Sequence, residues 1–436
     1  MTIASANYLP YVRTLMKSVR DTNPKLRRYF VLVDKKSSTQ IESDDLFEVV
    51  EAETLGIDSF QDMSIRYDVM ELNTAVKPFA IEWLFDNTDA ESVIYLDPDI
   101  CVYRRLGELE EALEEGASVV VTPHLTKPLE DGKSPDDHSM LQAGVFNLGF
   151  IAVARVREAR EFVQWWGRRL KEACHADFAK NLFTDQRWID LAPCYLSNIK
   201  VLRNPAYNVA YWNLAQRPSL VRRRQYFFDN EQLAFFHFSG LQFDKPTLVS
   251  KHQDRFAWKD IKPLHGLFND YRRRLVANGW GSFRAAPYSY DQADDLRIVP
   301  VIRRLFRDLY PKALPGVRLD APFILAMCNR SAELPQDAGG RVTRLMHKVY
   351  RERADLQSAF PLTSAEGIEN FAAWFEATAE REYGVDARLT CPSLSDLQQA
   401  QATDLPRFSL PKQPNEGRPW HYRRWRKVRK WLLQRI

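Results

Sequence analysis

The stretch VIYLDPDICVY, residues 93–103, places two aspartates on either side of a proline, between two apolar runs. Proline pushes the residue before it into an extended conformation, so Asp97 should continue the strand that precedes it. Residues i and i+2 of an extended chain face the same side, so Asp97 and Asp99 can point into one space. A divalent cation such as Mg²⁺ or Mn²⁺, which prefers oxygen ligands, would remove the repulsion between the two carboxylates. The alternative is a solvent-exposed Asp-Pro-Asp turn, because both residue types are common turn formers.

Short apolar strands alternate with amphipathic helices around this stretch. We predict strands at 2–5, 29–34, 49–50, 93–96, 118–122 and 146–153, and helices at 8–19, 75–85, 106–115 and from about 154 to 170. This alternation predicts an α/β domain over residues 1–250, with a mixed, mostly parallel sheet flanked by helices. Ligands of such sheets lie beyond the carboxyl ends of the strands, which is where Asp97 and Asp99 fall.

The character of the sequence changes at about residue 251, where strand patterns almost disappear. We predict helices at 298–309, 341–355 and 368–383, separated by segments rich in breaker residues. These patterns predict a second, mainly helical domain at 251–436. Residues 404–419 contain four prolines and indicate a linker to the last element.

Whole-chain properties limit the class of protein. The chain has 436 residues, a net charge of +4 and five widely spaced cysteines without a CxxC pair. This cysteine pattern argues against a disulfide framework and against a structural zinc site. The first residues lack a signal-peptide pattern, and no stretch approaches the roughly 18 consecutive apolar residues of a membrane-spanning helix. We therefore expect a cytoplasmic location, with attachment to the inner face of the membrane as a further possibility.

Six segments resemble the GT-A nucleotide-sugar glycosyltransferases, in that family's order. They are TIASANYLPYVRTLMKSV (2–19), ELNTAVKPFAIEWLF (71–85), YLDPDICV (95–102), VFNLGFIAV (145–153), FTDQRWID (183–190) and HFSGLQFDKP (237–246). The resemblance is strongest to the retaining family that includes glycogenin-like and bacterial lipopolysaccharide galactosyltransferases. It implies a GT-A (Rossmann-like) fold for residues 1–250 and a nucleotide-sugar donor.

The resemblance implies that Asp97, Asp99 and His237 hold a metal ion. A phosphate-bound cation beside an imidazole fits Mn²⁺ better than Mg²⁺, because imidazole is a softer ligand than oxygen. Such a cation would neutralise charge that develops on a departing diphosphate. His237 also lies in the aromatic run LAFFHFSG, so a buried core histidine is the alternative.

The resemblance also implies a set of donor-binding residues. They are Ser5, Asn7, Lys77, Asn147, Gly149, Gly240 and Lys245. Lys77 and Lys245 would face the diphosphate, although a solvated helix lysine fits Lys77 equally well. The alternative role for Asn147 is that of a strand residue whose side-chain amide is hydrogen-bonded within the protein. The family's A-D-D-N segment, which reads uracil, is A-S-A-N here, so UDP, GDP and other nucleotides all stay open.

Asp185 and Gln186 correspond to the family's D-Q pair under the reacting carbon of the sugar. The match implies retention of the anomeric configuration. The family shows no clearly placed carboxylate nucleophile, so the resemblance implies a front-face displacement in which these two residues steady the oxocarbenium character. A helix N-cap is the alternative role for Asp185.

Two segments are candidates for acceptor binding. The long polar segment 124–144 contains Asp136, Asp137 and His138, and loops of this length are usually functional or mobile. The segment NPAYNVAYWNL (204–214) interleaves aromatic residues with asparagines and contributes Tyr207 and Trp212. A solvated loop and ordinary core residues are the respective alternatives.

The last residues, WHYRRWRKVRKWLLQRI (420–436), contain seven Lys or Arg residues and no acid. Their spacing predicts a basic amphipathic helix for an anionic membrane surface, with a packed terminal helix as the alternative. No nucleic-acid-binding motif accompanies the charge.

Together these features predict a metal-dependent, retaining hexosyltransferase that acts on a bacterial surface-glycan or lipid-linked acceptor. A glycoside hydrolase is disfavoured, because Asp97 and Asp99 project from one side of a strand and cannot flank a bond. The third interpretation, a non-catalytic membrane scaffold with a degenerate domain, is disfavoured by the intact motifs.

Overall fold

This computed structural model describes residues 1–39, 41–309 and 319–392, together with positions 397 and 400. The strands are β1 (Thr2–Ala4), β2 (Tyr29–Leu32), β3 (Glu48–Glu51), β4 (Ser92–Leu96), β5 (Ile100–Val102), β6 (Val119–Pro123), β7 (Phe146–Ala154), β8 (Ile199–Val201), β9 (Ser219–Arg222), β10 (Gln225–Phe228), β11 (Glu231–Gln232), β12 (Phe235–His237), β13 (Gln292–Ala293) and β14 (Leu296–Arg297).

The α-helices are α1 (Leu9–Thr22), α2 (Phe60–Arg66), α3 (Val69–Ala75), α4 (Lys77–Asn87), α5 (Gly107–Glu114), α6 (Asp137–Ala143), α7 (Arg157–Ala173), α8 (Ala192–Tyr195), α9 (His265–Ala277), α10 (Trp280–Phe283), α11 (Pro300–Leu309), α12 (Ala321–Asn329), α13 (Arg344–Glu352), α14 (Ala354–Ala359), α15 (Ala365–Tyr383) and α16 (Ala387–Thr390). Short 3₁₀ turns lie at Ala6–Tyr8, Lys36–Ser38, Ala52–Thr54, Phe178–Lys180, Gln186–Leu191, Leu214–Gln216, Trp258–Leu264 and Ser289–Asp291. None of the described helices is both long and apolar enough to cross a membrane.

The main sheet is mixed and mostly parallel, as the sequence predicted. Strands β1, β2 and β3 pair in parallel, and β4, β7, β6 and β8 lie side by side in that order. Met1 joins the two sets, because its ammonium donates to the Ile94 carbonyl at 2.6 Å and its carbonyl accepts from the Leu96 amide at 3.1 Å. Strand β7 alone among these seven runs antiparallel to its neighbours β4 and β6.

Helices cover both faces of this sheet and bury its apolar residues. On one face, α4 and α7 bury Phe85 and Trp166 against β4, β6 and β7. On the other face, α1 packs its Leu15 and Val19 against a core that includes residues of β5 and β6. Both faces are therefore apolar, which explains why the strand sequences read as continuous hydrophobic runs.

Some of the predicted helical segments differ in bounds or type from those in the structure. The helix predicted at 75–85 is α4, which begins at Lys77 and ends at Asn87, and a separate short helix, α3, precedes it and ends at Ala75. The Asp68–Glu71 capping box begins α3, while Pro78 occupies the first turn of α4, where proline is tolerated. The segment that follows Asp185 is a 3₁₀ turn, Gln186–Leu191, and not an α-helix.

The second half of the described chain contributes to two cores. Helix α9 packs Phe268 and Tyr271 against Phe236 and Phe238, in a core shared with residues 209–238. A second, mainly helical core is formed by residues from Ala293 to Leu389 together with Ile65 of α2. The packing therefore changes near residue 293, and the domain boundary at 250 stays a prediction. The predicted linker (404–419) and basic segment (420–436) lie outside the described residues.

Candidate metal and donor site

The Asp97-Pro98-Asp99 segment lies at the carboxyl end of β4. The Asp97 amide donates to the Gly149 carbonyl at 2.8 Å, so this residue still pairs with β7. The chain then turns, with the Ile100 amide donating to the Asp97 carbonyl at 3.0 Å, and continues as β5. The two aspartates are thus held by sheet pairing on both sides of the turn.

Antiparallel pairing between β5 and β12 brings His237 to the aspartates. His237 lies opposite Ile100, and the next amide, that of Phe238, donates to the Asp99 carbonyl at 2.9 Å. The His237 Nε2 atom is 3.0 Å from Asp99 Oδ1 and 3.6 Å from Asp97 Oδ2. One potential ligand atom from each of the three residues lies within 4.8 Å of the others. The cluster disfavours both the exposed-turn and the core-histidine alternatives.

The chemistry of the three side chains fits a divalent cation. Two partly buried carboxylates supply negative charge, and one imidazole supplies a nitrogen ligand, a combination compatible with Mn²⁺ or Mg²⁺. Burial raises the pKa of Asp97, although Lys77 and His237 oppose this effect. Burial acts to lower the pKa of His237, but the Asp99 and Asp97 carboxylates outweigh it and raise that pKa.

Gly149 lies where β7 passes His237. A Cβ atom at this position would lie 2.7 Å from His237 Nδ1 and 2.8 Å from Asn147 Oδ1. Any larger residue would therefore displace the imidazole or the neighbouring amide. The glycine of the F-N-x-G segment is required by this close approach of β7 to β12.

Asn147 belongs to a buried polar network that reaches His237. Its Oδ1 accepts from the Gly149 amide at 3.1 Å and from Asn208 Nδ2 at 3.0 Å, and its Nδ2 lies 3.1 Å from His124 Nε2. Asn208 Oδ1 lies 3.3 Å from His237 Nδ1. Asn208 and His124 were not predicted as site residues. Asn208 lies in the segment 204–214 that the analysis singled out, and its backbone φ of 50° is one that asparagine tolerates better than most residues.

Lys77, which we predicted to face the diphosphate, is engaged by protein groups in this structure. It is buried, and its Nζ donates to Asp185 Oδ2 at 2.5 Å and to the Leu148 carbonyl at 2.8 Å. The same ammonium lies 4.0 Å from the centre of the Tyr95 ring. The Asp185 side chain does not cap the turn that follows it; its second oxygen accepts from Thr184 Oγ1 at 3.2 Å. Lys77 is therefore a partner of Asp185 and not a solvated helix lysine.

Gln186 is fixed at both ends of its side chain. Its Oε1 accepts from the Leu148 amide at 2.9 Å, and its Nε2 donates to the Ala143 carbonyl at 2.8 Å. Gln186 and Lys77, the partner of Asp185, thus both bind the backbone of one strand residue, Leu148. These contacts place the D-Q segment against the F-N-x-G segment.

The first βα connection contributes Ser5 and Asn7. Ser5 is buried, and its Oγ accepts from Asn73 Nδ2 at 2.9 Å, whereas Asn7 is half-buried. The next residue, Tyr8, was not predicted as a site residue, yet its ring is 43% exposed and stacks on Tyr11 at 4.8 Å. Burial of its hydroxyl, together with Asp99 and Asp97, raises the pKa of Tyr8 to about 12. Tyr8 therefore lies beside the carboxylate cluster with one face of its ring available.

The loop after His237 carries Gly240 and Lys245. Gly240 has a φ of 72°, and a Cβ there would collide with Ser250 Oγ and the His252 ring, so this position also requires glycine. The Lys251 amide donates to the Gly240 carbonyl at 3.0 Å and closes the loop. Lys245 is exposed, so its role as a phosphate contact stays a prediction.

The predicted acceptor residues fall into three environments. Asp136 caps α6 by accepting from the Ser139 amide at 2.8 Å, while Asp137 and His138 lie exposed in the first turn of that helix. Tyr207 is a core residue, because it is fully buried and its hydroxyl donates to Glu108 at 2.9 Å. Trp212 is buried too, but its ring centre lies 5.2 Å from that of His237.

No protein-family model matches the chain. Two uncharacterized proteins of Bacillus subtilis (strain 168), YfnD and YfnF, are similar to it in sequence. YfnD is 27% identical over 172 residues, which cover 39% of this chain and 51% of YfnD. YfnF is 23% identical over 213 residues, which cover 48% of this chain and 69% of YfnF. The chain thus spans about half the length of YfnD, and neither relative assigns an activity.

Solved structures similar to the chain include several glycosyltransferases. The galactosyltransferase LgtC, solved in complex with donor and acceptor sugar analogues, is 14% identical, and the match covers 62% of this chain and 94% of LgtC. The TM-score is 0.38. The chain resembles GT-A-type glycosyltransferases.

Proposed function

We propose that the protein is a metal-dependent glycosyltransferase that moves a sugar, with retention, from a nucleotide diphosphate to a glycan or lipid-linked acceptor. The observation that carries this proposal is the convergence of Asp97, Asp99 and His237 from the β4–β5 turn and from β12. Metal ligands that meet at the carboxyl edge of a mostly parallel sheet suit a phosphate-bearing donor.

The bound cation would stabilise negative charge on the departing diphosphate. Lys245, exposed on the loop that follows His237, supplies a second positive charge for the same group. Lys77 forms an ion pair with Asp185, so we propose that it positions this carboxylate and does not bind the diphosphate. The donor's bond from C1 to the diphosphate oxygen breaks, a bond from C1 to the acceptor oxygen forms, and the acceptor proton passes to the departing diphosphate.

The environment of Asp185 supports a front-face displacement over a covalent intermediate. One of its oxygens is paired with Lys77 at 2.5 Å and the other accepts from Thr184. A carboxylate engaged at both oxygens is a poor nucleophile, but its charge still stabilises positive character at the sugar carbon. We therefore assign Asp185 and Gln186 to orientation and charge stabilisation, with Asn147 as a contact to the donor sugar.

The nucleotide would lie over the first βα connection. Ser5 retains a hydroxyl proton to donate, Asn7 is half-buried, and the exposed face of Tyr8 can stack on a base. Stacking does not distinguish uracil from guanine. A thermal-shift panel of nucleoside diphosphates with Mn²⁺ would identify the base, and a glycoside hydrolase would respond to none of them.

The test of the metal role is Asp99→Ala. We expect Mn²⁺-dependent donor hydrolysis to fall by more than about 100-fold, because charge on the diphosphate would lose its stabilisation. Asp89→Ala is a matched control, since Asp89 is an exposed aspartate that precedes β4 and pairs with Arg27. We expect it to retain wild-type turnover. Unchanged turnover in Asp99→Ala would exclude the proposed metal site.

A further inference from the structure

Arg272, on α9, is a buried arginine whose guanidinium has no hydrogen-bond partner among the described residues. It is 8% exposed, and all three of its nitrogen atoms are removed from solvent. Arginines that are buried elsewhere in the described chain donate to a carboxylate or to backbone carbonyls; they are Arg66, Arg217 and Arg303. Arg272 differs from these three, because its charge is left without a partner.

A buried guanidinium without a partner is unfavourable. Removing a charge from water destabilises it unless hydrogen bonds or an opposite charge replace the lost hydration. The Trp258 ring centre lies 5.9 Å from Arg272 Cζ, and such a cation–π contact offsets only part of this effect. Burial lowers the pKa of Arg272, and the Tyr11 phenol is the only group in the described chain that opposes the lowering. No carboxylate of the described residues therefore compensates the charge.

Two other donor atoms without partners lie around the same tyrosine. The ring centres of Trp280 and Tyr11 are 5.6 Å apart, and those of Tyr271 and Tyr11 are 6.4 Å apart. The Trp280 Nε1 atom and the Tyr271 hydroxyl are both buried, and neither has a hydrogen-bond partner among the described residues. Arg272, Tyr271 and Trp280, which we call the Arg272 group, therefore present several donors and no acceptor for them.

The Arg272 group adjoins the proposed donor site. Tyr11 stacks on Tyr8 with ring centres 4.8 Å apart, and Tyr8 lies beside the carboxylate cluster. Tyr271 stacks on Phe238 with ring centres 3.7 Å apart, and the Phe238 amide donates to the Asp99 carbonyl. Two sets of direct contacts thus connect the Arg272 group with the residues that we assign to the nucleotide and the metal.

We propose that Arg272 is the centre of an anion-binding site that takes a phosphate or diphosphate group. A guanidinium binds phosphate oxygens through two parallel N–H···O hydrogen bonds, and Trp280 and Tyr271 can donate to further oxygens of the same group. A bound phosphate would supply both the acceptors and the negative charge that the described protein groups do not.

The source of this phosphate is a substrate, and that assignment rests on the proposed function, whereas the anion site itself does not. Two substrates of the proposed reaction carry such a group. One is the nucleotide-sugar donor, and the other is an acceptor that is linked to a lipid through phosphate. Trp258 is only half-buried and the next residue, Arg273, is exposed, so Arg272 lies close to the protein surface.

The first test measures the melting temperature without any nucleotide or divalent cation. Arg272→Met removes the charge and keeps a long side chain, so the ligand-free variant should melt about 2–4 °C higher than wild-type protein. Sodium pyrophosphate at about 10 mM, compared with NaCl of equal ionic strength, should raise the melting temperature of wild-type protein but not that of Arg272→Met. Equal pyrophosphate shifts in the two proteins would overturn the proposal.

Two further variants separate the site from a general effect of charge. Arg273→Met removes the same charge from the next position on α9, where the side chain is 75% exposed, and should keep the wild-type pyrophosphate shift. Arg272→Lys keeps a charge but not the forked donor geometry, so it should lose at least about half of that shift. If Arg272→Met does not fold, an undiminished shift in Arg272→Lys would overturn the proposal.

The second test identifies the source of the phosphate by calorimetry. A nucleoside diphosphate with Mn²⁺ represents the donor, and geranyl phosphate represents a lipid-phosphate acceptor. Arg272→Met should weaken binding of one of these two probes by about 10–100-fold, because a charged hydrogen bond is lost. Unchanged binding of both probes would overturn the assignment to a substrate. If wild-type protein binds no nucleoside diphosphate, the proposed function fails, whereas a pyrophosphate shift that depends on Arg272 would still support the anion site.

Discussion

Lys77 and Asp185 form an ion pair that is almost wholly removed from water. Their side chains are 1% and 3% exposed, and the ammonium makes a further hydrogen bond to the Leu148 carbonyl. Removing one partner of such a pair leaves an uncompensated buried charge, which is far more costly than losing an exposed pair. The pair thus fixes the position of Asp185 and contributes to stability at the same time.

We predict that Lys77→Met lowers the free energy of unfolding by about 3–5 kcal/mol, as measured by urea denaturation. The matched control is Lys171→Met, which breaks a pair with Asp58 at the same 2.5 Å separation but at an exposed site. There we expect a loss of no more than about 1 kcal/mol. Equal losses in the two variants would contradict the role assigned to the buried pair.

His124 gives a second prediction at this scale. Burial lowers the pKa of His124 to about 4, with a smaller contribution from His237. Between about pH 6.5 and pH 4, His124 is protonated in the unfolded chain but stays neutral in the folded protein. The contribution of neutral His124 to the free energy of unfolding is therefore complete above about pH 6.5 and is lost as the pH falls to about 4. From about pH 7 to pH 4, wild-type protein should therefore lose about 3 kcal/mol more unfolding free energy than His124→Gln. Parallel pH profiles in urea denaturation would contradict this.

The sequence predicted some residues of the site but not others. Asp97, Asp99 and His237 could be named because they lie in segments that resemble the GT-A family and because their side chains suit metal binding. Asn208 and His124 could not, because an asparagine in a loop and a histidine after a strand have many ordinary roles. Lys77 was assigned to phosphate because nothing in the sequence indicates that its partner, Asp185, lies 108 positions away.

At the level of elements, the pairing of β5 with β12 creates the site. Each strand has only three residues, and together they bring His237 within 3.0 Å of Asp99. The sequence predicted most strands of the main sheet from their apolar runs, but short strands paired across a long loop carry no such signal. Helix α3 was not predicted, because its seven residues are too few to show a clear helical period.

We predict that Gly149→Ala disrupts this arrangement. The added Cβ would lie 2.7 Å from His237 Nδ1, so the imidazole or β7 must shift. Calorimetric Mn²⁺ affinity should fall by about 10–100-fold, the range found when the support of a metal ligand is lost. Gly281→Ala, in α10, is the control: its Cβ would meet nothing within 4 Å, and alanine favours a helix. Wild-type affinity in Gly149→Ala would contradict the packing argument.

At the scale of the whole molecule, Arg303 ties the helical core to the sheet domain. It lies on α11, is 3% exposed, and donates to the carbonyls of Ser64 and Tyr67 at 2.7 and 2.6 Å. Its second nitrogen donates to the Tyr290 carbonyl at 2.8 Å. One buried guanidinium thus binds backbone carbonyls at the end of α2 and in the segment that leads into the second core near residue 293. The sequence predicted a helical second half but not this attachment.

We therefore predict that Arg303→Met loosens the attachment of the two cores as well as lowering stability. Four buried carbonyls, those of Ser64, Ile65, Tyr67 and Tyr290, would lose this donor. The free energy of unfolding should therefore fall by about 3–5 kcal/mol in thermal or urea denaturation. Hydrogen exchange should accelerate in residues 60–67 and 300–309, the two helices that the guanidinium joins. Arg304→Met is the control on the same helix, because Arg304 pairs with Glu352 at a partly exposed site and should contribute no more than about 1 kcal/mol. Similar exchange and stability in the two variants would show that apolar packing alone, through residues such as Ile65, holds the helical core against the sheet domain.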